Sequence, residues 1–353
     1  MRKIKVLITG VGAPGIKGTL FSLLNNYDNR AIYTVGTDIN DEVVGKYLCN
    51  VFYKISRAND SGNYLSELSD ICKKEKVEII IPQNTSELEI LAFNKEMFND
   101  IGVKILISGQ KSINIANNKY KLLNVCKKIH IPVLNFQLVN NFNDLIFYAR
   151  AFGWPGKEVV IKPPVSNGLR GVRIINEHID QKAAFYSEKP NSLYISSDYL
   201  HSILGDFFPE LLVMDYLPGD EYSVDILNTK QNIIVIPRKR DLIRSGITFN
   251  GSLEKNLEII TYSSKLAKHI GLQYCFGFQF KLNNEGIPII LECNPRIQGT
   301  MVLSTFAGAN LIYSAVKYLL NEPVPDLQID WDTHLLRYWG AVSINKNGLK
   351  ELI

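Results

Sequence analysis

Gln279-Phe280-Lys281 and the later run Leu291-Glu292-Cys293-Asn294-Pro295-Arg296 bring three oxygen-bearing side chains and a guanidinium into one short stretch of chain. Asn283-Asn284-Glu285-Gly286 between them has turn composition, so the two runs read as the arms of a hairpin. Residues two apart on a strand share a face, and Glu292 and Asn294 therefore project together. With Gln279 on the facing arm, the three suit Mg2+ (or Mn2+), a hard cation that keeps water and phosphate oxygens in its shell. Arg296, immediately beyond, is placed to hold an anion. Taken singly, Gln279 and Glu292 also fit half-exposed polar positions. Asn294-Pro295 should end the strand, and a charged cluster at a strand end favours a site. Cys293 faces the other way and reads as a small core residue rather than a nucleophile.

The elements that must position these groups follow from the pattern. Residues 4–8 read as a buried strand, 10–15 as a turn and 16–25 as a helix. Strands at 31–38, 77–82 and 103–107 alternate with helices at 64–74 and 86–98. That alternation predicts a doubly wound parallel sheet over residues 1–110. A helix pair at 111–132 opens a small α+β lobe, 111–200, with a strand at 158–162 and a return strand at 172–175. A more β-rich lobe, 201–353, carries strands at 211–216, 223–227 and 233–236. It also carries helices at 257–270 and 308–320, with the Gln279–Asn294 hairpin between them. The fold class is α/β, with α+β character in the C-terminal lobes.

At 353 residues the chain exceeds one ordinary domain. Hydrophobic residues make up 46% and charged residues 21%, which describes a globular protein rather than a disordered one. A net charge of +4 argues for neither nucleic acid nor an anionic membrane as partner. No apolar stretch reaches the roughly 18 residues of a membrane span, and Met1–Gly10 is too short and alternating for a signal peptide. Five cysteines without a Cys-x-x-Cys pair fit a reducing, cytoplasmic setting.

Gly10-x-Gly12-x-x-Gly15 follows a strand and opens a helix, with Asp38 at the end of the second strand. Alone, this spacing points to a dinucleotide; many doubly wound sheets use glycines at the same turn for other reasons. A different nucleotide constellation lies further on. Lys162 closes an apolar strand ahead of Pro163–Gly171, a loop whose Ser166, Gly168 and backbone amides are able to cover a phosphate. Met214-Asp215-Tyr216-Leu217-Pro218-Gly219-Asp220-Glu221 offers a strand edge for an adenine and, in Glu221, an acid for a ribose.

These segments, in this order, resemble the ATP-grasp superfamily, in the branch that includes the carbamoyl-phosphate synthase large subunit. The resemblance implies a pre-ATP-grasp sheet followed by a two-lobed ATP-grasp fold, with ATP and Mg2+ as cofactors. It casts Lys119 and Lys162 as phosphate-contacting bases, Ser166–Gly171 as a flexible loop, Asp215-Tyr216-Leu217 as the adenine hinge and Glu221 as the ribose acid. Gln279, Glu292 and Asn294 correspond to the metal set, and Arg296 to the arginine that stabilises an acyl phosphate. Arg238 and Arg244 are cast as further basic contacts near the γ-phosphate. Two departures stand out: Asp215 replaces the usual Glu, and a single grasp unit is present.

The resemblance implies a carboxylate–amine ligase releasing ADP and phosphate, with small-molecule carboxylate and amine partners and a homodimeric state. A bicarbonate-phosphorylating enzyme and a nucleotide-binding module without turnover are the competing expectations. The Pro82–Thr85 loop, Arg240 and Gly299-Thr300 are candidates for lining the acceptor pocket.

Overall fold

The computed structural model describes residues 2–166, 168–187, 193–345 and 348–352. They divide into two compact units, one comprising 1–117, 221–280 and 293–353, the other 118–220 and 281–292.

The first unit opens with a fully parallel sheet of β1 (Ile4–Thr9), β2 (Ile32–Asp38), β3 (Val51–Lys54), β4 (Ile79–Ile81) and β5 (Lys104–Ile105). Its order, β3-β2-β1-β4-β5, reverses direction at β1. β1 and β4 are apolar throughout their middles and buried on both faces, as a helix-covered parallel sheet requires. One face packs on Tyr64, Leu68, Leu88, Leu91 and Phe98. The other packs on the helix Ile16–Leu24 and, far along the chain, on the helix Leu311–Leu319. Tyr313 and Lys317 of that late helix both reach the Asp28 carboxylate, at 2.9 and 2.7 Å.

The helix expected over 86–98 is interrupted. A 3-10 turn, Thr85–Glu87, leads into Leu88–Phe93 and then Lys95–Asp100. At the first break Glu87 is buried and turned back into a capping box with Asn84 while accepting from Tyr64 at 2.8 Å.

The second unit holds β6 (Phe136–Asn141), β7 (Val159–Lys162), β8 (Arg173–Ile175), β9 (Tyr194–Ile195) and β10 (Phe207–Asp215) in the order β6-β10-β7-β8-β9. Its core is Val139, Leu145, Val159, Ile161, Ile175, Leu200 and Val213. A six-stranded antiparallel sheet has β11 (Glu221–Asn228), β12 (Ile233–Arg244) and β13 (Ile247–Leu253), flanked by β14 (Tyr274–Leu282), β15 (Pro288–Asn294) and β16 (His334–Leu336). Its order is β15-β14-β11-β12-β13-β16, so the expected hairpin is present as β14 and β15.

The glycine turn after β1 proves to be a packing device. A Cβ at Gly15 would lie 2.5 Å from the Gly299 Cα and 3.1 Å from its carbonyl oxygen. The helix start therefore seats directly on the segment that follows Arg296. Backbone on both sides leaves little room to relax, so Gly15→Ala is expected to lower the unfolding free energy by about 1–3 kcal/mol. A urea midpoint unchanged from wild type would show that the two segments separate freely.

Candidate functional site

In the second unit the basic groups are set by two short sequence devices. The Asn118 side chain accepts from Lys121 N at 3.1 Å and caps the helix Lys119–Lys128. Lys119 is thereby the first helical residue, and its own N–H donates to Pro164 O at 2.9 Å, tying the helix start to the loop after β7. The Lys119 side chain is buried. Its ammonium donates to Ser166 O at 3.0 Å and Ser166 Oγ at 3.3 Å, and lies 3.3 Å from Glu292 Oε2. Lys162 ends β7 opposite Leu212, also buried, with its ammonium 3.4 Å from Leu291 O. Two ammonium groups withdrawn from water, one of them 3.3 Å from the Glu292 carboxylate, form an array suited to a polyanion.

The loop that follows has left-handed backbone at Gly168 (φ +61°), Leu169 (φ +63°) and Gly171 (φ +72°). At Gly171 the requirement is twofold, since a Cβ there would also meet Pro163 Cγ at 2.7 Å. Asn167 of the expected flexible loop lies outside the described residues.

Asp215 closes β10, and its carboxylate turns to Asn135, accepting from the backbone N–H at 3.1 Å and from Nδ2 at 2.9 Å. The Asp215 side chain is therefore committed to Asn135, which leaves the backbone of this segment as its remaining polar edge. Tyr216 lies beneath the Lys281 ammonium, 5.1 Å from the ring centre, and Leu217 is buried.

In the first unit Gln279 stands on β14 and Asn294 on β15, both half-buried. Glu292 precedes Asn294 by two residues on the same strand and shares its face. Cys293 between them is buried, as expected. Among the described residues no group of three or more His, Cys, Asp or Glu could hold a metal ion. One carboxylate and two amides make a sparse donor set. It fits a hard cation that arrives with phosphate oxygens and water rather than one caged by protein alone.

The arginines separate into distinct situations. Arg296 donates from Nε to Thr85 Oγ1 at 3.4 Å and from Nη1 to Ile297 O at 2.9 Å. Arg244 is exposed at the end of β12, its guanidinium 5.0 Å from the Phe249 ring centre. Arg238 is only 1% exposed and forms a bidentate pair with Asp225, at 2.7 and 2.9 Å, while Nη2 also donates to Gln298 Oε1 at 2.9 Å. Ser304 Oγ donates to the same Asp225 at 2.7 Å. Among the described residues Arg238 Nη1 and Gln298 Nε2 are buried donors with no hydrogen-bond partner. Nearby, burial and the Arg238 charge push Arg337 below the usual guanidinium range. Arg240 pairs with Glu221 instead of standing open to an acceptor pocket. The structure thus gathers Lys119, Ser166 and Glu292, and leaves Arg244 apart from the buried Arg238.

Asp225, Gln298 and Arg337 escaped the sequence reading. Asp225 carried a signal, being a lone acid in Ser223-Val224-Asp225-Ile226-Leu227, where an unpaired charge would be prohibitively placed. Gln298 and Arg337 carried none, because their importance lies in which neighbours they meet. The dinucleotide reading of the glycine turn also meets an obstacle. Asp38 accepts from Gly12 N at 2.7 Å, so its carboxylate serves the turn itself.

A family model described as "ATP-grasp in the biosynthetic pathway with Ter operon" matches residues 207–336, and one for a "PylC-like, N-terminal domain" matches residues 6–106. The carbamoyl phosphate synthase large chain of Clostridium acetobutylicum is 24% identical over 275 residues, covering 75% of this chain and 24% of the relative. The chain therefore spans about a quarter of that relative's length. The biotin carboxylase of Campylobacter jejuni, solved with an ATP analogue, superposes with a TM-score of 0.68 at 17% identity, over 94% of this chain and 74% of that one. The N5-carboxyaminoimidazole synthetase of Staphylococcus aureus, solved with ADP, gives 0.66 at 16%, over 93% and 80%. With its parallel N-terminal sheet and its mixed and antiparallel sheets beyond, the chain is similar to ATP-grasp proteins over residues 207–336 and to PylC-like N-terminal domains over residues 6–106, and it shares the fold of these carboxylase and synthetase structures.

Proposed function

We propose that this protein is an ATP-dependent ligase that activates a carboxylate as an acyl phosphate for attack by an amine, releasing ADP and phosphate. The observation that carries the reading is the meeting of Lys119, Ser166 and Glu292 beside the buried Lys162.

Lys119 and Lys162 hold the ATP phosphates, with Ser166, Gly168 and the loop amides closing over them. The backbone of Asp215-Tyr216-Leu217 takes the adenine, and Glu221 the ribose. Gln279, Glu292 and Asn294 hold Mg2+ (or Mn2+), which supplies charge neutralisation and orientation of the phosphate oxygens when bound. A substrate carboxylate oxygen attacks the γ-phosphorus as the bond to the β-bridging oxygen breaks, and ADP leaves. The amine then attacks the acyl carbon, loses a proton and displaces phosphate. The chain's contribution is positioning and charge rather than a covalent nucleophile. Arg296 offsets charge on the transferring group. Arg238, through its buried and unpartnered Nη1, and Gln298, through Nε2, hold donors in reserve for an anionic oxygen. Arg244 supplies a more distant positive charge.

Similarity to a carbamoyl phosphate synthase favours a second reading, in which bicarbonate or carbamate is the acid phosphorylated. ADP release with Mg-ATP, measured against amino acids, dipeptides, other carboxylates and bicarbonate, each with and without an amine, separates the two. Stimulation by a carboxylate–amine pair is the expected result. Stimulation by bicarbonate alone replaces it with the second reading, and tight ATP binding without stimulation by any pair argues against a ligase.

A further inference from the structure

The acid cast as the ribose ligand is held by Arg240, to which the proposed function gives no part. The register that pairs Tyr222 with Lys239 sets Glu221 at the start of β11 directly opposite Arg240 on β12. Arg240 Nη1 donates to Glu221 Oε1. The rest of the guanidinium is fixed by the adjoining hairpin: Nε donates to Thr248 Oγ1 at 3.0 Å and Nη2 to Gly246 O at 2.7 Å. The Arg240 side chain is 5% exposed, while that of Glu221 is 22% exposed. Gly251 lies opposite Arg240 on the other neighbouring strand, where a Cβ would stand 2.7 Å from Lys239 O. The cation is thus clamped on three sides, and the carboxylate it grips through Oε1 remains part-exposed.

A rigid fork that holds one oxygen of a carboxylate fixes where the other points. We infer that Arg240 is a positioning residue, which locks Glu221 through Oε1 so that Oε2 is presented to the hydroxyls of a nucleotide ribose. The inference rests on the nucleotide reading proposed above. It adds a specificity device to that reading: discrimination for a ribose over a sugar without hydroxyls depends on Arg240, a residue that does not itself touch the nucleotide.

The test is the ratio of affinities for Mg-ATP and Mg-2′,3′-dideoxy-ATP, measured by calorimetry on the whole chain. A hydrogen bond to a charged group corresponds to about a tenfold to hundredfold preference for ATP in the wild type. Glu221→Gln should reduce that ratio. Arg240→Met should bring it close to one, with Arg240→Lys between. Thr248→Val removes only the acceptor for Nε; it should lower the ratio in part and keeps the idea testable if Arg240→Met fails to fold. Equal loss of both nucleotides at an unchanged ratio would reduce Arg240 to a structural role and overturn the inference. So would a ratio that rises, as release of a sequestered carboxylate would produce. Lack of discrimination by the wild type, or an unchanged ratio in Glu221→Gln, would refute the ribose assignment itself, and the inference with it.

Discussion

Glu292→Ala is expected to reduce ATP turnover by at least about a hundredfold while the chain stays folded. The residue is the single carboxylate of the Gln279–Glu292–Asn294 set and also the carboxylate nearest the Lys119 ammonium, at 3.3 Å. On the proposed reading its loss removes a metal donor, and it removes the counter-charge of a buried lysine as well. Glu292 is itself part-exposed, with a side-chain exposure of 22%. The stability cost should accordingly be that of a screened ion pair, about 1 kcal/mol or less. Phosphate release and a urea midpoint from the same preparation separate the two effects. Wild-type phosphate release would remove Glu292 from the site. A collapse of the midpoint would make the loss of turnover a folding effect.

The largest effect on stability is expected at Asp225. It is fully buried and accepts two bonds from Arg238 and one from Ser304. Asp225→Ala strands the Arg238 guanidinium in the core, where removing one partner of a buried pair costs about 3–5 kcal/mol. Replacing both partners with apolar residues should cost markedly less than the sum of the two single changes, because the double variant leaves no buried charge behind. A double-mutant cycle of Asp225→Ala and Arg238→Met by urea denaturation reads this coupling directly. Simple additivity would mean that the pair does not act as a unit.

These two expectations differ in how far the sequence announced them. That Glu292 and Asn294 lie on one strand was legible because strand periodicity is local: residues two apart share a face whatever surrounds the strand. The parallel sheet was legible for the same reason, since alternating apolar strands and amphipathic helices encode a layer order without any distant contact. Lys119 and Lys162 were legible only through order along the chain and resemblance. Neither lysine is near Glu292 in sequence, and what joins them is the Lys119 N–H to Pro164 carbonyl bond and the side-chain contacts of Ser166 and Leu291.

The sequence by itself determined the class of fold, the strand that carries Glu292 and Asn294 and the glycine turn. Each of these rests on backbone periodicity or turn chemistry within a few residues. Only the tertiary structure decided that residues 1–117, 221–280 and 293–353 gather into one compact unit. It also decided that Gly15 seats on Gly299. Likewise, Arg238 is drawn into the core by Asp225, and Arg240 is clamped onto Glu221. A charged side chain takes its role from whichever partner the fold brings within a few ångströms, and that pairing is set by packing between segments far apart in the chain.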